Sequence, residues 1–219
     1  ARVRAHNMNN RASYTLGINK FSDMTPKEKK AFFGFNKAAA KKPLKSEFKL
    51  LQGTAGDKPV SELPASVDWR NEGVVTAVKD QGHCGSCWAF AATATLESHV
   101  AMSSGLLFDL APQQIASCAE NPDHCGGTGG CEGATAEIAF DYVTGSNGML
   151  EEFQWGYGAY FGNESACAIP DEAVSKIQIG GYTRLPENEY APVMNAIVKQ
   201  GPIAISVDAS NWHAYHSGI

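Results

Sequence analysis

The stretch KDQGHCGSCWAF, residues 79–90, contains a cysteine whose surroundings suit nucleophilic catalysis. Serine is a residue type that often precedes a helix, so Ser86 predicts that Cys87 is the first helical residue. The unpaired amides and the dipole at a helix start stabilise a thiolate and lower the pKa of the thiol. Such a thiolate attacks a carbonyl carbon once a neighbouring imidazole has accepted its proton. The pattern therefore predicts acyl transfer at Cys87.

Acyl transfer also requires hydrogen-bond donors for the negative charge that develops on the carbonyl oxygen. Two candidates lie close in sequence: the backbone N–H of Cys87 and the side-chain amide of Gln81, six residues earlier. Trp88 follows the cysteine directly and is predicted to form a wall of the site. Cys87 and Gln81 are therefore the predicted catalytic residues.

Two other interpretations of the pair Cys84 and Cys87 stay open. A redox pair of the thioredoxin type also begins a helix, but it lies beside a strand–helix–strand unit, which residues 63–83 do not offer. A zinc site would need a second pair such as Cys125 and Cys131, whose spacing is loose for a structural zinc. We expect neither a metal nor a cofactor, and thiol titration and metal analysis distinguish the three hypotheses.

The elements that position Cys87 are predicted to be helices followed by a late strand. Thr25, Pro26 and Glu28 have the order of a capped helix start. Further helices are predicted from Cys87 to about Met102, from Pro112 to Ser117, through ATAEIAFDYVT to Gly145, and from near Pro192 to Gly201. The alternating stretch PIAISVDA, residues 202–209, predicts a strand. This order indicates an α+β fold.

The charge is divided unevenly along the chain. Residues 1–62 hold 13 Lys and Arg against 5 Asp and Glu, whereas residues 63–219 hold 5 against 18. Opposite net charges predict that the two segments dock on each other. The acidic segment disfavours a nucleic-acid partner. The sequence contains no run of about 18 apolar residues, which a membrane span would require. All six cysteines lie within residues 84–167, which favours an oxidising compartment.

Several stretches of the chain resemble the papain family of cysteine peptidases, in particular its cathepsin L-like members. Cys-Gly-Ser-Cys-Trp with Gln81 upstream matches the signature of that family. The resemblance continues through LPASVDWRNEGVVTAVKDQGHCGSCWAF, LAPQQIASC, GCEGATAEIAFDYV and GPIAISVDASNWHAYHSGI. Residues 17–23, GINKFSD, resemble the propeptide pattern Gly-x-Asn-x-Phe-x-Asp. The family resemblance implies a partial inhibitory propeptide and linker over residues 1–62 and a peptidase domain over residues 63–219.

The fold implied by this resemblance is the papain-like two-lobed α+β fold. Its helical lobe would be complete and its β-barrel lobe only begun, because we expect the chain to be truncated. The resemblance places a catalytic histidine and an orienting asparagine roughly 130–150 residues after the cysteine. His213 and His216 follow Cys87 by 126 and 129 residues, too soon after the predicted strand to be that base. We therefore expect the base beyond Ile219 and no activity from this chain alone.

The resemblance also implies roles for other residues. Cys87 is the nucleophile, Gln81 lines the oxyanion hole, and the bridges are Cys84–Cys131 and Cys118–Cys167. Cys125 is not assigned to a bridge. The remaining residues assigned to substrate binding are Gly133, Ala134, Thr135, Ala136 and Ser206.

Gly133 and Ala134 would pair through their backbone with an extended substrate. The family usually has a second glycine where this chain has Ala134, which predicts a less close approach. Thr135, Ala136 and Ser206 would line the main specificity pocket, and their small size permits a bulky second residue in the substrate. Ordinary helix and strand packing accounts for these three residues equally well.

These observations favour a cysteine endopeptidase zymogen that hydrolyses peptide bonds through an acyl-enzyme on Cys87. Its own propeptide would inhibit it, with an extended segment around residues 45–60 over the cysteine. The alternative is a non-catalytic papain-like relative that binds peptides. We expect a monomer with peptide or protein substrates, located in the lysosome or vacuole or secreted. Asn163-Glu164-Ser165 predicts N-glycosylation at Asn163.

Overall fold

A computed structural model describes residues 2–9, 11–41, 49–50, 57–146, 148–175 and 177–218. The helices are α1 Arg2–Asn7, α2 Pro26–Lys30, α3 Cys87–Ser104, α4 Pro112–Cys118, α5 Ala136–Gly145 and α6 Tyr190–Lys199. The strands are β1 Tyr14–Leu16, β2 Lys49–Leu50, β3 Thr183–Arg184 and β4 Tyr215–Gly218. Among the described residues, no helix has the length and apolar character that a bilayer crossing requires.

The core lies where α3 packs against α4 and α5. Its members are mainly alanine and branched or aromatic side chains, among them Trp88, Ala92, Leu96, Leu110, Ile115, Val143 and Met149. Alanines on α3 let the neighbouring helices come close, which buries the larger side chains. Because Cys87 is the first residue of α3, the core fixes the position of the predicted nucleophile.

The helix predictions largely agree with the structure. Thr25 Oγ1 accepts a hydrogen bond from the Glu28 N–H at 3.3 Å, and Glu28 Oε2 accepts one from the Thr25 N–H at 2.6 Å, which completes the predicted capping box. Helix α6 begins at Tyr190, two residues before Pro192. The proline is tolerated there because first-turn N–H groups have no partner within the helix.

Two small two-stranded sheets join the N-terminal segment to the C-terminal part of the chain. Strand β1 pairs antiparallel with β4, so that Tyr14 lies opposite Gly218 and Leu16 opposite Tyr215. Strand β2 pairs parallel with β3. Residues 1–62 are therefore bound to residues 63–219 partly through backbone hydrogen bonds, which depend little on side-chain identity.

The predicted strand at residues 202–209 is not found in the structure. A strand requires a neighbouring strand to accept and donate its ladder hydrogen bonds, and the described residues supply none for this segment. Its apolar side chains Ile205 and Val207 are 64% and 47% exposed. The alternating pattern therefore identified an extended segment but could not supply its pairing.

A buried carboxylate on α3 holds the loop before the helix in place. Glu97 is fully buried and accepts hydrogen bonds from the Thr76 hydroxyl, the Lys79 ammonium and, at 2.8 Å, the Leu110 N–H. Lys79 also pairs with Asp109, which is largely exposed. Burial alone would lower the pKa of Lys79, but its hydrogen bonds to Asp109 and Glu97 outweigh burial and raise it.

We expect Glu97→Gln to lower the free energy of unfolding of the 219-residue chain by about 3 kcal/mol. The substitution removes the charge that Lys79 faces in the interior, and breaking one partner of a buried ion pair costs about 3–5 kcal/mol. Urea denaturation followed by tryptophan fluorescence measures the change. Asp109→Asn is the matched control, with an expected loss below about 1 kcal/mol because that carboxylate is exposed. Equal losses for the two variants would contradict the assigned role of Glu97.

Candidate active site

Cys87 lies at the start of α3, as predicted, but its thiol is in a different state from the one expected. Ser86 precedes the helix, yet its buried hydroxyl bonds the Tyr157 hydroxyl at 2.7 Å and does not cap the helix. Burial raises the pKa of the Cys87 thiol, and hydrogen bonds from the backbone N–H groups of Gly34, Trp88 and Cys87 only partly offset that effect. The prediction of a lowered pKa is wrong for this state, because removal of water outweighs the helix terminus.

The segment that covers Cys87 is residues 32–36. The Gly34 carbonyl accepts a hydrogen bond from the Ala134 N–H at 3.1 Å. A Cβ atom at position 34 would lie 1.9 Å from the Gly85 carbonyl oxygen and 2.8 Å from Cys87 Sγ. Only glycine therefore allows the backbone to pass this close to the thiol.

The covering segment is predicted around residues 45–60, whereas among the described residues it is the segment 32–36 that lies on Cys87. Residues 49–50 pair with β3, and residues 57–58 lie against α6. Residues 45–48 and 51–56 lie outside the described residues. Sequence alone gave no distance between the propeptide and the cysteine, so the choice of segment rested on the absence of a helical pattern.

Gln81 directs its side-chain amide into the cleft. Its Nε2 donates to the Cys84 carbonyl at 2.7 Å and to the Phe32 carbonyl at 3.2 Å. Tyr157 donates its hydroxyl to the Gln81 backbone carbonyl at 3.0 Å, which fixes the loop. The Gln81 amide already donates to a carbonyl oxygen of the covering segment, so it has the geometry to donate to the carbonyl of another peptide.

The disulfide Cys84–Cys131 joins the loop before α3 to the stretch HCGGTGGCEG, residues 124–133, which we call the glycine-rich loop. The Gly85 N–H donates to the Cys131 carbonyl at 2.9 Å, beside this bridge. The second disulfide is Cys118–Cys167, so the two bridges are the pairs that the family resemblance implies. The first bridge brings residues 133–134 beside Cys87.

Gly133 and Ala134 form the other side of the cleft. Gly133 has φ of +89°, and a Cβ atom there would lie 2.2 Å from the Gly34 carbonyl oxygen. Ala134 is fully buried, and its N–H still reaches Gly34, so alanine does not prevent the close backbone approach. Trp88 is buried in the core and donates its indole N–H to the Gly130 carbonyl at 3.1 Å. This bond supports the glycine-rich loop, and the predicted role of Trp88 as a wall of the cleft stays a prediction.

The three residues predicted for the specificity pocket are only partly brought together. Thr135 and Ala136 follow the cleft residues directly at the start of α5. Thr135 is buried, and its hydroxyl oxygen has no hydrogen-bond partner among the described residues. Ser206 is exposed on the extended segment 202–209, and no hydrogen bond within the described part of the chain joins it to the other two.

The two C-terminal histidines lie against the N-terminal segment. The His213 ring lies 5.4 Å from the Phe33 ring and 6.3 Å from the Phe21 ring, measured between centroids. His216 packs on Gly17 beside the β1–β4 pair. Within the described ranges, neither histidine hydrogen-bonds Cys87, and their exclusion as the catalytic base stays a prediction.

Two contacts important for the N-terminal segment were not predicted as site features. Asn19, inside the GINKFSD pattern, donates its side-chain amide to the His213 carbonyl at 2.7 Å. Gly34 sits in the stretch FFGFN, where a single glycine between aromatic residues was the available signal. Neither residue is a nucleophile, a base or a common metal ligand, so residue type alone does not mark either as part of a site.

The linker before residue 63 is held by a buried amide on α6. Asn195 is 3% exposed, accepts a hydrogen bond from the Lys58 N–H at 2.9 Å and donates one to the Lys58 carbonyl at 3.0 Å. Asp57 pairs with Lys199 at 2.9 Å on the same helix. We call this pair of contacts the linker clamp.

Comparisons with known proteins agree with this geometry. Residues 63–219 match the papain family cysteine protease domain, and residues 1–29 match the cathepsin propeptide inhibitor domain I29. Fruit bromelain of Ananas comosus is 36% identical over 99% of this chain and 57% of its own length. Oryzain beta chain of Oryza sativa subsp. japonica is 34% identical over 99% of this chain and 44% of its own. The chain thus spans about half the length of these curated relatives.

Solved structures show the same similarity in three dimensions. A recombinant stem bromelain precursor superposes with a TM-score of 0.80 at 33% identity, covering all of this chain and 65% of that one. Digestive procathepsin L2 proteinase from Tenebrio molitor larval midgut gives 0.81 at 29% identity, with 100% and 68% covered. The family match, the helix-borne Cys87 and the covering segment lead to one conclusion: this chain belongs to the papain family of cysteine proteases.

Proposed function

We propose that this protein is the zymogen of a cysteine endopeptidase whose nucleophile is Cys87. The observation that carries the proposal is the peptide backbone of residues 32–36 held directly on the thiol. One carbonyl of that backbone accepts from the Gln81 amide and another accepts from the Ala134 N–H. A cleft that holds a backbone in this way has the donors that a substrate peptide requires.

In the proposed reaction, the Cys87 thiolate attacks the carbonyl carbon of the scissile bond. The Cys87 N–H and Gln81 Nε2 stabilise the oxyanion. An imidazolium then gives its proton to the leaving amine, and water hydrolyses the thioester to regenerate the thiol. The base must be a histidine that reaches Cys87 in the active enzyme, and the proposal assigns that role to neither His213 nor His216.

The proposal also gives residues 1–62 the role of an intramolecular inhibitor. They occupy the cleft with Gly34, pair with β4 through β1 and place Lys20 on Asp80 at 3.1 Å. Water and substrate are then excluded from the thiol, and burial holds its pKa high, so the nucleophile stays protonated. Removal of this segment would expose Cys87 and leave the helix terminus to favour the thiolate.

Substrates of the proposed enzyme are peptides or proteins bound in extended form along Gly133 and Ala134. Thr135, Ala136 and Ser206 remain our candidates for the main specificity pocket, because their small side chains leave room for a bulky substrate residue. The two disulfides fit maturation in a secretory, lysosomal or vacuolar compartment.

The first test is the nucleophile itself. In the protein of full natural length, freed of residues 1–62, we expect Cys87→Ala to lower kcat/KM for a fluorogenic peptide by on the order of 10⁴-fold or more. Cys84→Ser keeps the nucleophile but breaks the bridge to Cys131, so it should lower the free energy of unfolding by about 2–5 kcal/mol. Full activity in Cys87→Ala would refute the proposal. Peptide binding without any cleavage in the wild type would support the non-catalytic alternative.

Residues 1–219 alone should cleave no peptide, even over long incubations. The covering segment blocks the thiol, and no histidine among the described residues hydrogen-bonds it; a general acid–base group contributes roughly 10²–10⁴-fold. Cleavage by this chain that an alkylating reagent abolishes would identify His213 or His216 as the base.

The propeptide–enzyme ion pair makes inhibition depend on pH. The pKa of Asp80 is lowered, first by the hydrogen bond from the Gly82 N–H and also by Lys20, against an opposing effect of burial. A carboxylate with a lowered pKa in the docked state stabilises docking above its free value, about 3.9, and loses this effect as pH falls through the lowered value. The lowered pKa of Asp80 therefore predicts that residues 1–62 dock more weakly on the rest of the protein at low pH.

We expect Lys20→Met to accelerate conversion of the full-length zymogen at pH 6.5 by roughly twofold to fivefold, since an exposed ion pair contributes at most about 1 kcal/mol. The difference from wild type should shrink as pH falls below about 3.9 and through the lowered pKa of Asp80. Electrophoresis of timed samples measures conversion. Arg11→Met, which removes an exposed propeptide charge with no ion pair among the described residues, is the control. Equal rates for all three proteins at pH 6.5 would show that the pair does not contribute to docking.

Glycosylation at Asn163 is a further part of the proposal. Asn163 is exposed, and Asn163-Glu164-Ser165 is the one acceptor pattern in the sequence. Secretion from eukaryotic cells should add a glycan mass that a glycosidase removes and that Asn163→Gln abolishes. Asn211→Gln, an exposed asparagine outside the pattern, should leave the mass shift intact. A protein secreted without added mass at Asn163 would contradict this prediction.

A further inference from the structure

The covering segment places an aromatic ring against an imidazole beside the catalytic thiol. The Phe32 ring lies 4.8 Å from the His83 ring between centroids, with an interplanar angle of 50°. The carbonyl of the same residue accepts from Gln81 Nε2 at 3.2 Å. Phe32 is therefore an internal ligand whose backbone and side chain are both seated on the loop before α3.

His83 is held in place by the neighbouring turn. The backbone N–H of His83 donates to the Tyr160 carbonyl at 2.8 Å, and a Cβ atom on Gly162 would lie 3.0 Å from the backbone carbonyl oxygen of His83. The short helix Ala159–Phe161 also carries two exposed rings, Tyr160 and Phe161, at 37% and 79% exposure. An imidazole and two aromatic side chains thus belong to one local surface, which we call the aromatic rim.

The direction of the covering segment places the aromatic rim on one side of the chemistry. Asn36 donates its N–H to the Gly126 carbonyl, Gly34 lies at Cys87 and Ala134, and Phe32 lies at Gln81 and His83. The acyl half of a substrate is proposed to bind along Gly133 and Ala134. The leaving half must then extend past Cys87 towards His83. The covering segment contacts Cys87 at Gly34 and His83 at Phe32, two residues apart.

We propose that His83 determines specificity on the leaving-group side and selects an aromatic side chain at the second residue after the scissile bond. This inference rests on the proposed peptidase function. Phe21 packs edge-on to Phe32 at 5.0 Å, and Lys20 lies 5.9 Å from the Phe32 ring. Both belong to residues 1–62 and leave with that segment, whereas His83 remains in the enzyme.

Because His83 contacts the side chain with its ring, we expect it to prefer an aromatic substrate side chain over a saturated one of similar size. An imidazole presents both a π face and polarised edges, so a phenyl ring gains ring–ring attraction in addition to burial. A saturated side chain of similar volume gains burial alone. Cyclohexylalanine is therefore the informative comparison with phenylalanine, because the two differ in π electrons and little in size.

The test uses the full-length protein after removal of residues 1–62, with active sites titrated by an irreversible thiol inhibitor. Four peptides differ only at the second residue after the scissile bond: Phe, cyclohexylalanine, Leu and Ala. We expect kcat/KM for Phe to exceed that for cyclohexylalanine by about threefold to tenfold, the effect of one ring–ring contact. His83→Ala should reduce this ratio to near one, and His83→Gln should do the same because its amide is planar but not aromatic.

His99→Ala is the matched control, because it removes an imidazole from the same chain about 18 Å along α3 from Cys87. It should leave the ratio unchanged whatever it does to absolute rates. A wild-type ratio near one, a ratio that persists in His83→Ala, or a preference confined to the first residue after the scissile bond would overturn the inference. No cleavage of any of the four peptides would instead refute the peptidase function itself.

Discussion

The structure depends on a backbone approach that side chains would forbid. Gly34 lies on the Gly85 carbonyl and the Cys87 thiol, while Gly133 faces the Gly34 carbonyl from the opposite wall. The disulfide Cys84–Cys131 and the backbone bond beside it hold the two walls at this spacing. Helix α3 then fixes the thiol at the centre, because its core packing leaves its first residue no freedom to withdraw. The cleft is thus defined by the width of a polypeptide backbone.

The same contact accounts for the chemical state of the nucleophile. A helix start favours the thiolate through its amides and dipole, yet the covering backbone removes the water that would also stabilise the charge. Burial is the larger effect here, so the pKa of Cys87 is raised although three backbone N–H groups point to its sulfur. The proposed inhibition therefore has two components, exclusion of substrate and suppression of the charged form of the proposed nucleophile, and both arise from one segment.

Local features of the fold were predictable from the residues themselves, and contacts between distant segments were not, apart from the two disulfides that the family resemblance implies. Thr25 and Glu28 encode their capping box within four residues, and Ser86 marks where α3 begins even though its hydroxyl bonds Tyr157. Burial raises the pKa of Cys87, and the backbone that passes closest to its sulfur is at Gly34, 53 positions away in the sequence, which no local pattern connects to it. The predicted strand at residues 202–209 is not found for the same reason, since alternation of apolar and polar residues specifies the faces of a strand and not its pairing partner.

The linker clamp has a consequence for concentration. Asn195 holds Lys58 at one end of the linker, and β1 and Gly34 hold the preceding segment at the other. A ligand tethered in this manner experiences an effective concentration on the order of millimolar, however dilute the protein is. Cleavage between Asn36 and Lys58 would turn the same contacts into a bimolecular equilibrium governed by mass action. Before this cleavage, occupancy of the cleft by the segment does not depend on protein concentration. After it, the occupancy falls as the protein is diluted.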